Sequence, residues 1–140
     1  MIVPRVVLLD TGFILALENR DDRHHVRAKQ LDRELGAAGA VFVAHWGILL
    51  EIGDGYARLG RRAKGIELLD KLLGEDGYRV VNLSEEIVQE AAELFRSRAD
   101  KEWGLTDCVS FTVMRREGIR EALSADIHFR QAGFEPMLLE

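Results

Sequence analysis

An α/β fold with a central, mainly parallel sheet follows from three observations on the 140-residue sequence. Short apolar runs of strand character recur along the chain. They alternate with longer segments whose apolar residues repeat at helical spacing, and two of the runs end on an acid, Asp10 and Asp126. Strands separated by helices need crossovers, which are right-handed and lay helices on both faces of a parallel sheet.

Residues 6–9 form the first strand, followed by the Thr11-Gly12 turn and a short helix over 13–17. A second helix follows Asp22, a residue type that caps helices, with Val26, Leu31 and Leu35 as apolar anchors and Gly36 or Gly39 as its stop. Residues 40–44 give the second strand. Residues 46–59 and 61–73 read as helices, the latter with Ile66, Leu69, Leu72 and Leu73 at helical spacing and Gly74 at its end. Residues 78–83 alternate like a strand. Ser84 then caps a helix whose first turn carries Glu85 and Glu86, where acids complement the helix dipole, and whose apolar face holds Ile87, Ala91, Leu94 and Phe95. Residues 107–116 are apolar on nearly all sides, which predicts a buried helix ended by Gly118. A strand over 121–125, at most one helical turn over 127–131 and an edge strand over 136–139 complete the chain.

A chain of this length with 47% hydrophobic residues can bury one core but not two, so residues 1–140 read as a single domain. The one cysteine, Cys108, excludes an internal disulfide and a cysteine zinc site, and suits a reducing, cytoplasmic compartment. No apolar segment has the length of a membrane span. A net charge of −5 speaks against a nucleic-acid partner until bound divalent cations are considered, which would offset most of it. The basic residues are also grouped, most densely at Arg58, Arg61, Arg62 and Lys64, a cluster that suits either RNA contact or a solvated helix face.

The acids carry the chemistry. Asp10 and Asp126 end strands, and ligands of open α/β sheets bind beyond the C-terminal ends of strands. Glu51, directly after Ile48-Leu49-Leu50, and Asp107, at the start of the buried helix, are the other two candidates. Each also has a plain structural reading. Asp10 suits a helix cap, Glu51 an exposed helical position, Asp107 the N1 position of a helix capped by Thr106, and Asp126 a turn. The set gains its meaning because four separate elements supply one acid each. Asp54, three residues after Glu51, suits an outer acid of that set, and Asp100 either an acid at its rim or a solvated loop acid. His45 and His128 lie near the set, either as satisfied structural histidines or as groups that touch phosphate or orient an acid, while His24 and His25 read as surface residues and Cys108 as core. Asp10-Thr11-Gly12 is shared with aspartic proteases, but those are all-β, and no glycine-rich phosphate loop is present.

Leu8-Leu9-Asp10-Thr11-Gly12-Phe13, Leu49-Leu50-Glu51, Leu105-Thr106-Asp107-Cys108-Val109-Ser110-Phe111 with Met114 and Gly118, and Ser124-Ala125-Asp126-Ile127-His128-Phe129 with Gly133-Phe134 occur in this order. In them the chain resembles the PIN-domain ribonucleases, and within these the VapC-type toxins of toxin-antitoxin pairs. The resemblance implies an αβα sandwich and a magnesium- or manganese-dependent endoribonuclease whose acidic centre is Asp10, Glu51, Asp107 and Asp126, with Thr11 and Ser124 lending hydroxyls. Where the family often has threonine or serine before the glutamate, this chain has His45-Trp46-Gly47.

Hard-cation chemistry places Asp10 and Asp107 as direct ligands and Glu51 and Asp126 behind water or on a second ion. Attack by water would leave a 5′-phosphate and a 3′-hydroxyl. The resemblance further implies an RNA substrate, a homodimer and an antitoxin from an adjacent reading frame. The antitoxin would place a basic side chain in the site and cover Trp46, Leu49 or Tyr56. The alternative reading is a non-catalytic interaction module, and metal dependence separates the two.

Overall fold

The computed structural model describes residues 3–139. The order of elements is β1 (Val6–Leu9), α1 (Thr11–Glu18), α2 (His25–Ala37), β2 (Val41–His45), α3 (Trp46–Gly55), α4 (Arg62–Gly74), β3 (Tyr78–Val81), α5 (Glu85–Ser97), α6 (Leu105–Glu117), β4 (Glu121–Leu123), α7 (Ile127–Gln131) and β5 (Glu135–Pro136). The strands lie in the order β3-β2-β1-β4-β5, and every pairing is parallel. The chain builds outward from β1 to β3 on one side, then returns to place β4 on the other side of β1. That reversal opens a crevice beyond the C-terminal ends of β1 and β4.

Alternation along the strands divides the interior into two cores. Val7, Leu9, Phe42 and Ala44 face one side of the sheet, where Phe13, Leu31, Leu35, Ile48, Ile52 and Leu72 from α1 to α4 cover them. Leu8, Val43 and Ala122 face the other, against Ile87, Ala91, Cys108, Phe111 and Met114 of α5 and α6. Helix α6 is buried from Cys108 to Met114, as its all-round apolar sequence predicts. Each fully buried side chain such as Phe111 or Met114 contributes about 1.5–3 kcal/mol. Core packing, more than helix propensity, therefore holds α6 against the sheet. Gly118 ends α6 with φ 70°, a left-handed turn that glycine adopts without strain.

Several sequence expectations are corrected. Asp22 does not cap α2: its carboxylate accepts from the backbone N–H of His24, the cap residue two positions on, closing a turn ahead of the helix. Val26, Ile66, Leu73 and Phe95 are exposed rather than core anchors, and Leu68, unremarked in the sequence, is buried instead. The helix expected to reach residue 59 stops at Gly55, where Tyr56 turns inward and packs under Gly65; a Cβ there would lie 2.7 Å from that of Tyr56. Helix α6 begins at Leu105 with Gly104 as its cap, so Asp107 stands at the third helical position and not the first, and Thr106 is inside the helix. The last strand is Glu135–Pro136, earlier and shorter than expected.

Candidate active site

Three of the four acids are fixed by the local structure of their own elements. Asp10 follows β1 and caps α1, its Oδ1 accepting from the Thr11 N–H at 3.0 Å. Asp126 follows β4 and caps the short α7, accepting from the His128 N–H at 2.9 Å. Asp107 reaches back from the first turn of α6 to accept from the Gly104 N–H at 3.1 Å. Three carboxylates thus sit at helix N-termini, where the dipole favours negative charge and offsets part of their mutual repulsion. Glu51 is exposed on α3.

The side chains between the acids link them into one chain of contacts. Thr11 donates its hydroxyl to Glu51 Oε1 at 2.7 Å, tying α1 to α3. Ser124, fully buried, donates to Asp10 Oδ2 at 2.7 Å and accepts from the Asp126 N–H at 3.0 Å. His128 Nδ1 lies 3.1 Å from Asp107 Oδ2 and 3.3 Å from Asp126 Oδ1. Glu51, Thr11, Asp10, Ser124, Asp126, His128 and Asp107 therefore follow one another without a gap. Register explains the centre of this chain. Leu9 pairs with Leu123, and the Asp10 N–H bonds to the Leu123 carbonyl, so the residues after β1 and β4 emerge side by side.

Burial pushes the Asp10 carboxyl up to about 6. The hydrogen bonds from Ser124 and Thr11 oppose this, and the charges of Asp107 and Glu51 add to it. A buried carboxyl that resists ionisation beside other carboxylates is the electrostatic setting that a bound cation relieves.

His45 answers the departure from the family pattern before Glu51. Its ring is fully buried and caps α3, Nδ1 accepting from the Gly47 N–H at 3.0 Å. Nε2 must then carry the hydrogen, which it donates to Ser110 Oγ at 2.8 Å. Burial holds the ring neutral, with its pKa lowered to about 4. His45 thus does the capping work of a threonine or serine and joins α3 to α6. Gly47 is required beside it, because a Cβ there would lie 2.8 Å from the ring.

The remaining candidates lie elsewhere. Asp100 pairs with Arg98 and Lys101, which bring its carboxyl down to about 2, and Asp54 is exposed with no side-chain contact to the acids. His25 Nδ1 meets the Ala16 carbonyl at 2.7 Å, tying α2 to α1, and Cys108 packs in the core. In the basic group, Lys64 pairs with Glu18 and Glu67, Arg62 donates to the Ala57 carbonyl, and the Arg61 guanidinium stacks 4.7 Å over the Tyr56 ring. Arg61 and Lys64 line a cavity of about 490 Å³ with Leu15, Glu18, Asn19, Asp22 and Tyr56. Leu49 and Tyr56 are buried, so of the three expected anchors for a partner only Trp46 offers surface, at 40% exposure.

A family model described as PIN domain matches residues 7–135, a span that holds all four acids. The chain belongs to the PIN domain family. This PIN domain is 29% identical over 133 residues to the 23S rRNA-specific endonuclease VapC20 of Mycobacterium tuberculosis, across 92% of this chain and 95% of that protein. The crystal structure of VapC20, a sarcin-ricin loop cleaving toxin, matches with a TM-score of 0.81 at 26% identity, covering 93% of this chain and 97% of that one. VapBC2 from Rickettsia felis, bound to a DNA fragment from its promoter, matches with a TM-score of 0.67 at 17% identity over 96% of both chains, a likeness of fold alone. The parallel sheet and two helical layers described above are the fold of these relatives.

Proposed function

We propose that this PIN domain is a divalent-metal-dependent endoribonuclease that hydrolyses RNA phosphodiester bonds and serves as the toxin of a type II toxin-antitoxin pair. The observation that carries this reading is the unbroken chain of contacts from Glu51 through Asp10 and Asp126 to Asp107 at the sheet's switch point. The similarity to VapC20, an rRNA endonuclease, supports RNA as the substrate.

The donor set suits a hard cation such as magnesium, or manganese in its place, with Asp10 and Asp107 as direct ligands and Glu51 and Asp126 behind them. When bound, such an ion supplies a water of lowered pKa and positive charge for the phosphate oxygens. The chain's own groups set the geometry. Ser124 holds Asp10 Oδ2, Thr11 holds Glu51 Oε1 so that its carboxylate would help to position the attacking water, and Gly104 fixes Asp107. The exposed cations of the Arg58–Lys64 group provide phosphate contacts, Arg58 being the one whose side chain has no hydrogen-bond, ion-pair or ring partner among the described residues.

The similarity to VapC20, a toxin, supports an antitoxin partner. Trp46, Leu50, Leu59 and Ile66, exposed on and between α3 and α4, supply the apolar surface for it. A homodimer and a cytoplasmic location belong to the same reading; among the described residues no helix is long and apolar enough to cross a membrane.

The test is cleavage of ribosomal RNA and mixed single-stranded RNA with manganese or EDTA. Asp10→Asn, Glu51→Gln, Asp107→Asn and Asp126→Asn should each lose activity severely, and Asp54→Asn should not. Metal-independent cleavage, or full activity in any of the first four, would refute the mechanism. Binding of RNA without cleavage would favour a non-catalytic module.

A further inference from the structure

The metal centre proposed above is described by its carboxylates, yet the side chain that closes it is an imidazole. We propose that His128 binds the cation through Nδ1 together with Asp107 and Asp126. These ligands join Asp10, so Asp126 binds directly rather than behind the others, and the added nitrogen makes the site prefer manganese and cobalt to magnesium. This inference rests on the metal-dependent reading; it moves Asp126 into direct contact with the ion, adds His128 as a ligand and draws the consequence for metal choice.

The geometry points there first. One ligand atom from each of Asp107, Asp126 and His128 lies within 4.8 Å of the other two. The Nδ1 separations from the two carboxylate oxygens, 3.1 and 3.3 Å, match neighbouring corners of a coordination octahedron. With bonds of about 2.1–2.2 Å, adjacent ligands of such an octahedron stand about 3.0–3.1 Å apart. All three groups are also held in place. The Asp107 Oδ2 that faces the ring also accepts from the Gly104 N–H, the Asp126 Oδ1 that faces it also accepts from the His128 N–H, and α7 is anchored by the fully buried Phe129 one residue past the ring.

Chemistry points the same way. His128 Nε2 has no protein partner among the described residues, and the side chain is 23% exposed. In the metal-free site Nδ1 is within hydrogen-bond distance of Asp107 Oδ2; with an ion bound, the tautomer that carries its hydrogen on Nε2, toward water, would turn the Nδ1 lone pair to the cation in place of that hydrogen bond. Imidazole nitrogen raises affinity for later first-row ions far more than for magnesium, which favours oxygen donors and retains its waters. A purely carboxylate site would not separate the two metals in this way.

The experiment uses the intact protein with each metal alone as probe. Manganese-loaded wild type, His128→Ala and His128→Asn are examined by pulsed electron paramagnetic resonance for nitrogen-14 coupling. Calorimetry measures cobalt and magnesium affinity for each. Thermal melts of the metal-free variants establish that they fold, and the asparagine variant preserves a polar group facing both carboxylates.

The wild type should show imidazole coupling that both variants lack. Cobalt affinity should fall at least about tenfold in the variants, while magnesium affinity changes by less than about threefold. Bound manganese with no nitrogen coupling in the wild type would overturn the proposal. So would variants that bind both ions more tightly by the same factor, since the ring would then only fill the space between two carboxylates. Metal-dependent RNA cleavage accompanied by either result sinks the ligand assignment alone, whereas a protein that binds no divalent ion sinks the ribonuclease reading with it.

Discussion

Replacing Asp10 by asparagine should make the metal-free protein more stable while it abolishes cleavage. Burial raises the Asp10 carboxyl from its ordinary 3.8 to about 6, a rise of about 2 units that corresponds to about 3 kcal/mol against the ionised form. The folded protein holds this proton up to about pH 6, whereas the unfolded chain releases it near pH 4. Between those values the folded state binds more protons, so stability falls as pH rises, and the full penalty is present at neutral pH and above. Asparagine removes the charge but disturbs the hydroxyl donation from Ser124, at a cost of about 1 kcal/mol. The net gain at pH 8 is then about 2 kcal/mol, or about 6 °C in melting temperature for a chain of this size.

His45 works in the opposite sense over nearly the same range. Its pKa falls from 6.5 to about 4 on folding, so the unfolded chain binds more protons there and stability from this residue rises with pH. The two contributions offset each other in the wild-type profile, and the difference between wild type and variant is the quantity to read. Urea denaturation in EDTA at pH 4.5 and pH 8 measures it. The Asp10→Asn substitution should stabilise at pH 8, and the gain should vanish or reverse at pH 4.5. A variant no more stable than wild type at pH 8, or a pH-independent difference, would refute the account of Asp10.

Three further outcomes follow from the same contacts. Manganese at about a hundred times its dissociation constant should stabilise the wild type by about 2.7 kcal/mol in a thermal melt, and Asp107→Asn should lose most of that shift; an unchanged shift would remove Asp107 from the ligand set. Gly47→Ala should cost about 1–3 kcal/mol in urea denaturation, because the new methyl group would displace the His45 ring and break its bonds to α3 and α6; an unchanged midpoint would show that the ring yields freely. Arg58→Ala should weaken RNA binding and reduce its log-log salt slope by about one, while Arg62→Ala, whose guanidinium is already engaged by the Ala57 carbonyl, should change the slope less. Titrations at several salt concentrations would contradict this if the two variants shared one slope.

The sequence by itself determined the fold class and the placing of Asp10 and Asp126 at strand ends, because those signals are local. An apolar run that ends on aspartate marks a strand end and a helix cap wherever the chain places it, and an all-round apolar segment such as 107–116 has to be buried. Only the tertiary structure decided what the acids touch. Sheet order sets β4 beside β1, and that pairing brings Ser124 onto Asp10 across 114 residues of chain. His128 between Asp107 and Asp126, and Thr11 on Glu51, depend on the approach of separate helices, and no spacing in the sequence encodes that approach.

The misplaced residues fail for a related reason. Val26, Ile66, Leu73 and Phe95 have the right residue type and near-helical spacing, but which stripe of a helix faces inward depends on where its neighbours lie. Asp22 and Thr106 are good caps by type, and each lost that place because α2 is capped two residues later, at His24, and α6 two residues earlier, at Gly104. His45 is the reverse case. Its sequence neighbours suggest a departure from the family pattern, while the folded chain gives its ring the cap of α3 and a hydrogen bond into α6. Both are set by the depth at which β2 delivers it into the interior.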